Sequence, residues 1–273
     1  MTHTAIVTGG LRGLGLAMAL GLLREGCRVV AVGHIESDVT AMPHDSRLHP
    51  MVADLRKPAE CDRVFAVTRE TFGGADILVN NAGLTFTYIA PDRYRRKEPQ
   101  TFWQCTDEIT QNVMDTNFMA ADMMARRAAP AMLAKGWGRI VNVTTKLDTM
   151  NRPGSSPYGP SKAALEMASE IWAKELAGTG VTANCVNPGA GANTLGMAQE
   201  MRDASTAGTV SRLVEPDEMV PPLLFVVSRE ADAVNGFRFD ANAWDTTLPP
   251  AEAARRIAQP AGFVLHPQRA WDA

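Results

Sequence analysis

Tyr158 and Lys162 stand four residues apart at the start of a segment with helical periodicity, so a phenol and an ammonium project from one face toward a shared ligand. The pair suits proton transfer. A phenol with a solution pKa near ~10 is a poor base at neutral pH, and a nearby ammonium favours its phenolate. Such a phenol gives a proton to a carbonyl oxygen being reduced, or takes one from an alcohol being oxidised. A tyrosine and lysine at this spacing also occur as an ordinary surface pair. What sets these two apart is their distance beyond the Val-rich strand that ends Val141-Asn142-Val143.

The second constellation follows the first strand. Thr8-Gly9-Gly10-Leu11-Arg12-Gly13-Leu14-Gly15 leads directly into an Ala/Leu/Met helical pattern. Glycines let the backbone approach a pyrophosphate without a Cβ in the way, and the helix behind them presents free N–H groups and a positive dipole end. A plain tight turn has much the same composition. The first βα turn, however, is where nucleotide-binding folds hold phosphate.

To bring these two pieces together the chain needs a sheet with its carboxyl ends on one side. Thr4–Val7, Arg28–Val32, His49–Val52, Ile77–Asn80, Arg139–Val143, Val181–Val186 and Phe237–Phe239 read as strands. They alternate with helical patterns over Leu14–Arg24, Ala59–Thr71, Phe102–Lys135 with a break near Thr110, Ser161–Ala177 and Pro216–Val227. The expectation is one α/β domain over residues 1–245, a doubly wound Rossmann-type fold whose seven-stranded parallel sheet is flanked by helices on both faces. Residues 246–273, with four prolines and a short Ala-rich piece, read as a tail packed on the body or on a neighbouring subunit.

Composition narrows the partners. A net charge of −3 gives no footprint for nucleic acid. No apolar run reaches membrane-spanning length, and the first residues lack a basic signal-peptide region, so a cytoplasmic protein is expected. Cys27, Cys61, Cys105 and Cys185 lie far apart without a CxxC pair, which favours reduced thiols over disulfides or a metal site. A small molecule is the expected partner.

The glycine loop matches TGxxxGxG and the tyrosine–lysine pair matches YxxxK, and between them Asn80-Asn81-Ala82-Gly83 closes the fourth strand. In these motifs, and in their order from Thr4 to Asp245, the chain resembles the short-chain dehydrogenase/reductase family. The resemblance implies a nicotinamide-dependent oxidoreductase working on a carbonyl/alcohol pair. It assigns Asp54 and Leu55 to an adenine contact, Asn81, Ala82 and Gly83 to the cofactor cleft, and Pro188 and Gly189 to the loop after the sixth strand. It also has Lys162 hold the nicotinamide ribose while the nicotinamide cation, with the ammonium, favours the phenolate of Tyr158. The family serine that bonds the reacting oxygen falls thirteen residues before the tyrosine, where this chain has Thr145; its β-methyl stiffens the side chain and narrows the pocket. Asn117 matches the residue that kinks the long helix and supports a water-mediated proton relay. Relatives pair the long helices around Asn117 and Tyr158, implying a homodimer or homotetramer.

The cofactor is read from the end of the second strand. NAD-specific relatives carry an acid there for the ribose hydroxyls; this chain has Gly33, followed by His34. Arg12, inside the glycine loop, suits a phosphate monoester. NADP is therefore favoured, with NAD possible, since His34 is a weaker clamp than arginine and Glu36 or Asp38 follows within reach of a ribose. The alternatives are an NAD-dependent alcohol or sugar-acid dehydrogenase and, from another class, a non-catalytic nucleotide-sensing or scaffolding protein.

Two variable segments belong to the substrate side. Leu84 to Gln104 carries Arg93, Arg95, Arg96 and Lys97 beside Tyr88, Tyr94, Phe102 and Trp103. A loop of this kind receives an anionic or ring-bearing substrate, or is simply a solvated face, and the second reading is favoured. Ala190 to Ser211, rich in Gly, Ala and Met, has the composition of a lid.

Overall fold

The computed structural model describes residues 3–263. The last ten residues of the expected tail, 264–273, lie outside them. Strands β1 (Thr4–Thr8), β2 (Arg28–Gly33), β3 (Leu48–Val52), β4 (Ile77–Asn80), β5 (Gly138–Val143), β6 (Val181–Asn187), β7 (Phe237–Asp240) and β8 (Gln259–Pro260) form one sheet in the order β3-β2-β1-β4-β5-β6-β7-β8. The helices, in chain order, are α1 (Gly13–Arg24), α2 (Glu36–Thr40), α3 (Pro58–Phe72), α4 (Phe86–Ile89), α5 (Asp107–Met114), α6 (Ala120–Lys135), α7 (Leu147–Met150), α8 (Tyr158–Glu175), α9 (Gln199–Thr206), α10 (Val220–Val227) and α11 (Pro250–Ile257).

The expected sheet of seven parallel strands is corrected to eight with one antiparallel pair. β8 runs against β7, pairing Phe237 with Pro260 and Arg238 with Gln259. Two residues, one of them proline, carry no strand periodicity to read. The break expected near Thr110 falls instead at Cys105–Thr106, where the Thr106 hydroxyl accepts from the Ile109 N–H and caps α5. Between α5 and α6 the helix winds as a π-turn over Asp115–Met119.

Residues alternate across the sheet. Ala5 and Val7 face a layer with Met18 and Leu22 of α1 and Leu223 and Val226 of α10. Ile6 and Leu78 face Val64 of α3 and Met124 and Ala128 of α6. Because both faces are covered, the strands read as continuous apolar runs. Each buried aliphatic side chain contributes roughly 1.5–3 kcal/mol.

Among the described residues no helix is long and apolar enough to cross a membrane, the four cysteines are free, and no three His, Cys, Asp or Glu side chains stand together as a metal site.

Candidate active site

Parallel pairing puts the carboxyl ends of β1 to β6 on one edge of the sheet. The strand order reverses between β1 and β4, opening a crevice there. Thr8 closes its floor: its hydroxyl accepts from the N–H groups of Asn81 and Ala82 at 3.0 Å each, while the Asn81 amide donates to the Thr8 and Gly9 carbonyls. The two expected cofactor segments therefore form one hydrogen-bonded unit.

The glycine loop has the shape of a phosphate cradle. Gly9 and Gly13 have φ of 62° and 53°, which disfavours side chains there, and a Cβ on Gly15 would overlap the Gly9 carbonyl. Leu14 lies in the first turn of α1, half-buried against the core. Arg12 is the N-cap of α1 and makes no side-chain cap bond, so the first amides of the helix face the cleft. On the far side, a Cβ on Gly83 would sit 3.3 Å from Asn117 Oδ1 and 3.5 Å from Lys162 Nζ. Bare backbone at both places leaves the room a dinucleotide needs, and the residues present fit one.

Tyr158 opens α8, and the Thr145 side chain is near enough to pull the pKa of its phenol down. Burial pushes the phenol up to about 12, opposed by the Thr145 hydrogen bond. The Lys162 ammonium, 4% exposed, donates to the Val143 carbonyl at 2.7 Å. Burial in turn lowers Lys162 to about 8. The phenol of Tyr158 is thus neutral at pH 7 and carries a proton to give.

Asn117 sits buried in the π-turn. Its Oδ1 accepts from the Leu84 N–H at 2.7 Å, and its Nδ2 donates to the Leu84 carbonyl and the Ser161 hydroxyl. Its side chain is fully occupied in tying the turn after β4 to the start of α8. π-turns of this kind occur often at functional sites.

At the adenosine end, a Cβ on Gly33 would fall 2.5 Å from Leu11 Cδ1, so a side chain there would require Leu11 to move. His34 is exposed. The acid of this region is Asp38, whose carboxylate accepts from Arg12 Nε at 2.7 Å. Asp54 is held below the usual carboxylate range by its hydrogen bond to Arg56, and Leu55 is buried in the core.

Pro188 and Gly189 follow β6, buried, with the Gly189 N–H donating to Asn187 Oδ1. The Asn187 amide donates to Asp240, and Asp240 pairs with Arg238. Arg238, 2% exposed, also donates to the Thr145 carbonyl at 3.1 Å and pairs with fully buried Glu166 of α8 at 3.3 Å. Sequence reading missed this network, although an arginine inside the Phe-Arg-Phe-Asp strand is a visible anomaly. It also missed Phe86, whose ring packs 4.6 Å from that of Tyr158.

The family model for short chain dehydrogenase matches residues 3–205. A short-chain type dehydrogenase/reductase of Picea abies is 33% identical over 249 residues, 85% of this chain and 88% of its own. Among solved structures, a 3-ketoacyl-(acyl-carrier-protein) reductase from Brucella melitensis complexed with NADH superposes with a TM-score of 0.74 at 26% identity, covering 87% of this chain and 96% of that one. An actinorhodin polyketide ketoreductase with NADPH gives 0.71 at 26% identity, covering 86% and 93%. With a crevice at the sheet's reversal, a family model over most of its length and such relatives, the chain belongs to the short-chain dehydrogenase/reductase family, nicotinamide-dependent oxidoreductases that interconvert carbonyls and alcohols.

Proposed function

We propose that Tyr158, Thr145, Lys162 and Asn117 carry the reaction and that NADP is the favoured cofactor. The observation that carries this reading is the phenol of Tyr158 against the hydroxyl of Thr145, with Lys162 buried behind it and only backbone at Gly83 in front. When bound, the cofactor supplies or accepts the hydride. The glycine loop and the Asn81–Gly83 backbone would hold its phosphates and inner ribose, Lys162 the nicotinamide ribose, Asp54 and Leu55 the adenine, and Pro188 and Gly189 the nicotinamide end. Tyr158 donates its proton to the carbonyl oxygen, Thr145 hydrogen-bonds that oxygen and the phenol together, and Asn117 keeps the cleft wall in register with α8.

Arg12 supports NADP as a guanidinium placed before the cradle, and its bond to Asp38 means that a 2′-phosphate must compete with a carboxylate. Pairing between copies through the long helices is supported by Met119 of the π-turn, Leu133 of α6 and Ile171 of α8, large apolar side chains 39–47% exposed. A cytoplasmic setting agrees with four free cysteines.

The test is nicotinamide absorbance against a carbonyl panel. Tyr158→Phe keeps the ring and removes the proton donor, so kcat should fall at least ~10²-fold while cofactor affinity barely changes. Near wild-type turnover with cofactor bound would sink the assignment.

A further inference from the structure

A guanidinium partly withdrawn from water needs an anion, and Arg93 has none of the protein's own. Its Nη1 donates to the Gly154 carbonyl at 2.6 Å and its guanidinium lies 4.0 Å over the Phe86 ring. Among the described residues, no carboxylate comes within ion-pairing distance of it. The rest of the basic run behaves differently: Arg95, Arg96 and Lys97 are exposed, and Arg96 is neutralised by Asp92 at 2.8 Å. Only Arg93 turns inward.

Arg152 meets it there. This residue comes from the loop between α7 and α8, far along the chain from the run, and its guanidinium stands 5.7 Å from the same Phe86 ring. Among the described residues its guanidinium makes no hydrogen bond or ion pair. The nearest acids in sequence are engaged, Asp148 with Lys146 and Asp92 with Arg96. The two cations oppose each other: burial first, then Arg152, lowers Arg93 from its ordinary value. Two like charges gathered on one ring without a counter-ion are unfavourable, unless a ligand supplies the anion.

The ring they share is the one packed on Tyr158. The walls around it are fixed: the Thr85 and Thr87 hydroxyls both donate to the Gly196 carbonyl, at 2.8 and 2.9 Å, joining α4 to the segment after β6.

We propose that Arg93 and Arg152 form an anion-binding subsite beside Tyr158, and that the substrate is a short hydroxy- or oxo-acid whose carboxylate bridges the two guanidiniums. The proposal rests on Tyr158 as the proton-transfer residue. Guanidinium forks match the two oxygens of a carboxylate, and Phe86 holds the site dry on one side.

The experiment uses the full chain with NADP, short hydroxy acids, and the methyl ester of each, which lacks the charge and adds one methyl group. The wild type should favour acid over ester by about tenfold or more in kcat/KM, and Arg93→Gln with Arg152→Gln should bring that ratio near one. Arg95→Gln, on the exposed part of the run, should leave the ratio as it is. Arg152 is exposed, so Arg152→Gln alone carries the test if the Arg93 variant misfolds. Thermal shift with the same acids gives a readout independent of turnover. Esters that match the acids overturn the subsite and leave the redox chemistry standing. Acids that raise the melting temperature of the wild type and not of the double variant, without turnover of anything, support the subsite and overturn the redox reading. Neither turnover nor a shift overturns both.

Discussion

Lys162 holds a positive charge where almost no water reaches, and the cost can be measured. Its folded pKa, lowered to about 8 from 10.5, means the native state binds fewer protons than the unfolded chain between those values. Stability therefore rises with pH across that window, and the full penalty, on the order of 3 kcal/mol, applies below about 8. Lys162→Met should melt higher than wild type at pH 7, lose that advantage as pH climbs toward 10.5, and be inactive; calorimetry at several pH values reads this directly. An unchanged melting temperature at pH 7 would mean that the ammonium is better solvated than its burial indicates. Asp38 has a similar opposing role toward Arg12. The pair is part-exposed and its coupling correspondingly small, so Asp38→Asn should shift the NADPH-to-NADH affinity ratio toward NADPH by about two- to fivefold. A ratio that does not move would remove Arg12 from the phosphate. At this scale the sequence was legible where spacing encodes geometry, since Tyr158 and Lys162 share a helix, while Thr145 was reached only through the family resemblance. Asp38 on Arg12 and Arg152 on Phe86 join segments far apart in the chain, and no periodicity reports such contacts.

β7 and α8 are joined by charge rather than by apolar packing alone. Glu166, pushed up by burial and pulled back by Arg238, has one carboxylate oxygen without a partner. Arg238→Met would strand that carboxylate and release the Thr145 carbonyl, destabilising by about 3–5 kcal/mol. Adding Glu166→Leu should restore most of the stability by denaturant unfolding, yet not the activity, because Thr145 still lacks its anchor. Recovery of both would reduce Arg238 to a structural ion pair. The longer elements were readable for a reason: β1, β4, β5 and β6 are buried throughout, and α1, α3 and α8 run for twelve residues or more. α2, α4 and α7 are only four or five residues, held by the turns around them, and offer no period to read. The π-turn was half visible. An asparagine inside a helix signalled an irregularity, but the extra residue in the winding depends on Leu84 and Ser161, which the local sequence does not show.

At the scale of the molecule, residues 246–263 cover the sheet's far end. α11 lies on α10, burying Ala253 and Ala254, and β8 pairs with β7. Truncation after Asp245 should therefore lower stability by at least about 2 kcal/mol in denaturant unfolding; a truncated chain as stable as the whole would make this segment an ornament of the fold. β8 has a second effect, shared with the opposite margin. The outermost strands are β3 and β8, and each contains a proline, Pro50 and Pro260. A proline has no N–H to offer, so neither rim presents an unbroken row of donors to a strand from another molecule. Such a sheet is closed to growth by edge-on addition, and crowded or partly unfolded chains should precipitate, if at all, through their helical faces rather than polymerise into fibres.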